Sequence, residues 1–164
     1  MRSHRLFSGA AALLLISGAM AAPAAMAADC KPTLLPPRVL RLVKPLMKAR
    51  LHEAEEIART GSWNPDSRAS RNAEDRLAAV LQDGTPAGDQ AVAYLLTVYL
   101  GEHQGEDVVC EVLKRGRRMV PLVRAVQECQ PLTGLEPYPA NVNGSGALVS
   151  IAMQGLESGE PCDD

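Results

Sequence analysis

The sequence predicts an all-α fold, a small bundle of about five or six helices built from αα-hairpins and stapled by disulfides. Three observations predict it. Apolar residues recur at intervals of three and four in several segments downstream of Pro36, the spacing that lines one side of a helix. No stretch alternates apolar and polar residues over strand length with β-branched enrichment. Residues 91–100 are apolar nearly all round, with Thr97 the polar exception, and a helix of that kind belongs in the middle of a core.

The chain opens on the pattern of an export signal. Arg2 and Arg5 precede an apolar run from Phe7 to Met20, and Ala25-Met26-Ala27 stands ahead of Asp29 and Cys30. A basic head, a short hydrophobic stretch and small residues at minus three and minus one mark cleavage near Ala27. Residues 1–27 are therefore read as a signal peptide and residues 28–164 as one helical domain, periplasmic or secreted in a bacterium and not transmembrane after cleavage. About 137 residues remain, enough to bury roughly two thirds of the unfolded surface in a single core. Asp29, acidic where a lipobox carries a small residue, argues against a lipid anchor at Cys30.

After Pro36 and Pro37, the residues Leu40, Val43, Met47, Leu51, Ala54 and Ala58 predict a helix over 37–60. Pro37 suits its first turn, whereas Pro45 removes the bond to the Arg41 carbonyl and predicts a kink or a split. Arg41, Lys44, Lys48, His52, Glu55 and Arg59 share another side, readable as a solvated stripe with Glu55 and Arg59 paired across one turn. Residues 61–70, containing Trp63-Asn64-Pro65-Asp66, form a turn-rich connection.

Residues 73–84, AEDRLAAVLQDG, can be laid on 105–116, GEDVVCEVLKRG, with Glu-Asp, Val-Leu and the final Gly in register at an offset of 32. Each segment places acids in its first turn and ends at a glycine suited to a left-handed cap. Each is followed by a second helical segment, 91–100 and 119–129, the latter with Met119, Leu122, Val123 and Val126 on one face. Two hairpins at a fixed offset resemble a fragment of an α-solenoid of the HEAT or Sel1 kind over roughly residues 72–130. The resemblance implies packed helical hairpins and no particular activity. Residues 131–145, PLTGLEPYPANVNGS, read as a long loop that is either functional or a strap. Within it Asn143-Gly144-Ser145 matches a glycosylation sequon and is read as a turn. Ser145 is placed to cap a last helix whose stripe is Leu148, Val149, Ala152, Met153 and Leu156.

Seventeen Lys and Arg against nineteen Asp and Glu give a net charge of −2, which becomes −4 once Arg2 and Arg5 leave with the signal. That balance disfavours nucleic acid as a partner. The charges are uneven: Lys31, Arg38, Arg41, Lys44, Lys48 and Arg50 form an all-basic stretch, while every charge after Arg124 is acidic. Attraction between the two ends within the fold accounts for this, and so does a partner-binding patch. Past the signal the aromatics are Trp63, Tyr94, Tyr99 and Tyr138, too few for a carbohydrate-stacking groove.

All four cysteines, Cys30, Cys110, Cys129 and Cys162, survive cleavage, and there is no CxxC pair. In an oxidising compartment this argues for two disulfides rather than a redox or zinc motif. A hairpin turning at residues 116–118 would bring Cys110 to Cys129 and leave Cys30 with Cys162 to tie the termini, the leading pairing among three possible connectivities.

His52-Glu53-Ala54-Glu55-Glu56 begins like the HExxH helix of zinc proteases, with Glu56 where the second histidine belongs. The densest cluster of potential ligands is 101–107, where Glu102, His103 and Glu106 form a candidate metal or acid–base set, with plain helix capping as the competing reading. GxSxG, SxxK and P-loop motifs are absent, and His52 and His103 are the two histidines beyond the signal, which argues against an enzyme and against a bound cofactor. In size and architecture the chain resembles the disulfide-bonded helical immunity and inhibitor proteins of the periplasm. That resemblance implies a non-enzymatic module binding another envelope protein. Its contact surface is expected at Arg41, Lys44 and Lys48 or around Tyr138 and Asn143. The alternatives are a metal-dependent hydrolase centred on His103 and attachment to anionic envelope surfaces through residues 38–50.

Overall fold

Six α-helices follow one another in the computed structural model, which describes residues 33–98, 102–135, 142–159 and 162. They are α1 (Pro37–Thr60), α2 (Arg68–Leu81), α3 (Pro86–Leu95), α4 (Glu102–Arg115), α5 (Val120–Glu128) and α6 (Val142–Ser158), with a 3-10 turn at Gly116–Met119 leading into α5. Among the described residues there is no strand, and one isolated parallel bridge joins Leu34 to Leu132. The expected signal segment, Cys30 and Tyr138 lie outside the described residues, as do the side chains of 102–103 and 142–145.

Pro37 sits in the first turn of α1, as its fixed φ and missing N–H favour, and Gly61 closes the helix at φ 77° with its N–H on the Ile57 carbonyl. The helix runs unbroken through Pro45, so it is not split. Its buried side is Val39, Val43, Leu46, Met47, Ala49, Arg50 and Glu53, rotated from the predicted stripe, and Leu51 is left 41% exposed. The rotation follows from two charges that satisfy each other: Arg50 Nη1 donates to Glu53 Oε2 at 2.7 Å, so both can turn inward.

Ser67 caps α2 by accepting from the Ser70 amide, so the helix begins before Ala73 and Glu74 and Asp75 fall in its second turn rather than its first. Gly84 takes no left-handed cap; the chain instead turns through Asp83, whose carboxylate accepts from the Thr85 amide at 2.9 Å. Thr85 in turn accepts from Gly88 and starts α3 at Pro86, ahead of the predicted Ala91. Gly116, at φ 71°, does adopt the left-handed conformation.

Every residue from Ala91 to Val98 is buried, as the apolar run predicts. The α3 helix is the hub of the bundle, packing on α1, α2, α4 and α5. The α1 and α2 helices form the most extensive hairpin, antiparallel because Arg50 reaches Glu74 while Glu56 accepts from Ser67. On the other side α4 packs on α6 rather than on α5, and two glycines permit the approach. Leu148 lies over Gly105 and Leu113 over Gly155, where added Cβ atoms would come within 3.0 Å and 2.7 Å of those leucines. The two segments aligned at offset 32, now α2 and α4, thus take different main neighbours, α1 and α6.

The α4–α6 packing also corrects the disulfide expectation. Cys110 is bonded to Cys162, with the two Cα atoms 5.2 Å apart, and not to Cys129. The 3-10 turn after Gly116 directs α5 toward α3, whereas α6 lies along α4 and delivers the chain end to Cys110. The same bond excludes the expected pairing of Cys30 with Cys162. Cys129, just past α5, is also disulfide-bonded. Beyond it the first part of the predicted loop is a strap: Leu35 N donates to the Leu132 carbonyl and Leu132 N to the Thr33 carbonyl, both at 2.9 Å. Its last part belongs to α6, so the expected turn at 143–145 and the cap at Ser145 are replaced by helix.

No helix among the described residues is long and apolar enough to cross a membrane.

Candidate functional site

The outer side of α1 carries Arg41, Lys44 and Lys48 at spacings of three and four, preceded one turn earlier by Arg38. Arg38, Arg41 and Lys48 are exposed and Lys44 is half-buried. Among the described residues none of the four makes an ion pair. The acidic end of the chain does not neutralise them there: Glu157 of α6 faces Arg124 of α5 at 3.8 Å, and α6 packs mainly on α4 and α5. The other acids of that end, Glu136, Glu160, Asp163 and Asp164, lie outside the described residues, and with them the expected attraction between the ends.

Two exposed leucines border the cations. Leu51 lies one helical turn past Lys48 and is 41% exposed, and Leu34 is 59% exposed. Leu34 is also a neighbour of Lys44, since a side chain at Gly134 would meet Leu34 at 3.6 Å and Lys44 Nζ at 3.8 Å. On the other flank a groove of about 900 Å³ runs between the start of α1 and the α2–α3 turn, lined by Pro36, Arg38, Arg41, Leu42, Pro86 and Ala87 among others.

Two guanidiniums buried elsewhere among the described residues are held by structure. Arg50 joins Glu53 and, at 3.1 Å, Glu74, which also accepts from Gln104 at 2.7 Å. Trp63 Nε1 donates to the second oxygen of Glu53 at 3.1 Å. Burial acts to raise the Glu53 carboxyl, but hydrogen bonds from Arg50, Trp63 and Ser70 and the charge of Arg50 outweigh it and hold the group below the ordinary glutamate value. A second buried guanidinium, Arg115, donates to Asp89 and to the Leu81 carbonyl at 2.7 Å and to Glu111 at 2.8 Å, tying α2, α3 and α4 together.

The zinc-protease pattern does not assemble. His52 stays exposed, 3.7 Å from Glu55, while Glu53 turns inward to Arg50 and Glu56 accepts from Ser67 at 3.2 Å. The anticipated Glu55–Arg59 pair is replaced by this His52–Glu55 contact. Of the candidate set on α4, Glu106 is exposed, and the side chains of Glu102 and His103 lie outside the described residues. No group of three potential metal ligands occurs among the described residues. Asn143 lies in the first turn of α6 with its side chain outside the description, and Tyr138 is outside it altogether.

The cations are legible in the sequence, whereas Leu34, Leu51 and the groove are not. Leu51 falls on the predicted core stripe, and Leu34 and Pro86 join the face through packing. The signal available was Pro36-Pro37 and Pro86, whose fixed φ and missing N–H favour helix starts, so that their rings stand at the ends of α1 and α3 that border the groove. Compared with known protein families, curated proteins and solved structures, the chain matches none of them.

Proposed function

We propose that this is an exported, non-enzymatic binding module, periplasmic or secreted, whose α1 face docks an acidic surface of another envelope protein. The observation that carries the reading is the row Arg38, Arg41, Lys44 and Lys48, without acidic partners among the described residues and bordered by exposed Leu34 and Leu51. Unpaired cations speed encounter with an acidic partner. The leucines add the apolar contact that a purely charged envelope polymer has no means to match.

The test is photo-crosslinking in the periplasm from a probe at position 48, repeated in Lys44→Glu/Lys48→Glu protein with a probe at position 41. A discrete crosslinked protein, lost on charge reversal while the helical circular dichroism is unchanged, supports the reading. Crosslinks to lipid alone, with salt-sensitive binding to phosphatidylglycerol vesicles, would replace it by membrane-surface attachment. No specific product at all refutes it.

A further inference from the structure

We propose that the groove between the start of α1 and the α2–α3 turn takes an extended peptide of the pattern acid–apolar–acid, a proposal that rests on the protein-binding reading and names the partner's chemistry. One wall supplies two exposed guanidiniums, Arg38 and Arg41, three residues apart on α1 and free of ion pairs among the described residues. At that spacing their Cβ atoms lie about 5–6 Å apart. Side chains two apart on an extended chain point to one side at about 7 Å separation. Two acids so spaced therefore meet the two arginines, each able to grip a carboxylate through paired N–H donors.

The residue between those acids points to the opposite wall. That wall is the α2–α3 turn, where Pro86 and Ala87 supply apolar contact beside Thr85 and Gln90, and Leu42 of α1 adds to it from the arginine side. Proline rings at Pro36, Pro37 and Pro86 have no N–H to offer, so at these positions the backbone donates nothing to compete with the guanidiniums for a carboxylate. Asp83 on the rim is occupied by Thr85, which donates to it from both backbone and side chain. It does not neutralise the arginines, and its charge repels an acid placed on the apolar side, which fixes the orientation of the peptide.

The groove is also preformed. Thr85 caps α3, and Arg115 fastens the Leu81 carbonyl and Asp89 on either side of the turn. The ordering cost of binding then falls mainly on the peptide.

The test is a ¹H–¹⁵N titration of the exported form with acetyl-Ser-Glu-Leu-Glu-Ser-amide. Saturable shifts confined to residues 36–42 and 83–90 are expected, weakened at least tenfold in Arg38→Gln/Arg41→Gln protein and for the peptide with Gln in place of Glu. A peptide with Ser in place of Leu is expected to bind at least threefold more weakly. No shifts at millimolar peptide, shifts elsewhere, or equal binding of the Gln peptide overturns the proposal. If the peptide fails while the position-48 crosslink persists, this inference falls and the broader binding reading stands; if both fail, both fall.

Discussion

Removing Arg50 tests the interior charge logic most directly. The side chain is 5% exposed and holds Glu53, itself 8% exposed in its side chain, at 2.7 Å. Taking away one partner of a buried pair costs about 3–5 kcal/mol because the other charge is left in a poor solvent. Two features pull Arg50→Met toward the low end. Trp63 and Ser70 still donate to Glu53, and the substitution removes Arg50 Nε, a buried donor without a partner, whose unmet desolvation costs about 1–3 kcal/mol. The second pair, to a Glu74 that is 46% exposed, adds little because water screens it. The expected loss is about 3 kcal/mol, read by urea unfolding, or a melting point lower by about 10–15 °C for a domain of this size. Arg50→Met/Glu53→Met should recover most of that loss, since apolar residues of similar volume replace the whole pair. A loss under about 1 kcal/mol in the single variant, or a double variant no more stable than the single, refutes the buried-pair account.

Glu53 and Asp83 are both held below their ordinary carboxyl values. Stability from such groups is fully present above the ordinary value and lost as pH falls through the folded-state value, so melting curves should drop below about pH 4.3, with a shallower acid limb in Glu53→Gln protein. Gly88→Ala should destabilise by about 2–3 kcal/mol because its Cβ would run into the Asp83 backbone carbonyl, which cannot swing away. Gly155→Ala, which meets the movable end of Leu113 at 2.7 Å, should cost less in the same thermal denaturation assay. Peptide mapping without reduction should recover a Cys110–Cys162 linked species. Cys110→Ser and Cys162→Ser should each lose about 4 kcal/mol, as chain entropy gives for a 52-residue separation, and the double variant no more than either.

The bounds of α1 were legible because Pro36-Pro37 and Gly61 punctuate the chain through local backbone geometry, which needs no tertiary information. The burial of Ala91–Val98 was legible for a similar reason: a segment apolar on every side has nowhere else to go. The inward turn of Arg50 and Glu53 was not, since a charge reads as exposed until its partner is known, and part of that partnership comes from Trp63 and Glu74 on other elements. The same holds for the candidate site. Arg41, Lys44 and Lys48 stand out in one dimension, but their lack of acidic partners among the described residues, the leucines beside them and the adjoining groove exist only once α1, the α2–α3 turn and the 131–135 strap are packed together.

Sequence by itself determined the helical class, the central helix and the basic row, because periodicity and backbone preference act over a few residues. Tertiary structure alone decided that Cys110 meets Cys162, that α4 lies on α6, and which charges are satisfied. Those outcomes depend on how closely helices approach at Gly105 and Gly155. Shape fit between distant segments is a property of volumes in contact, and no local pattern encodes it.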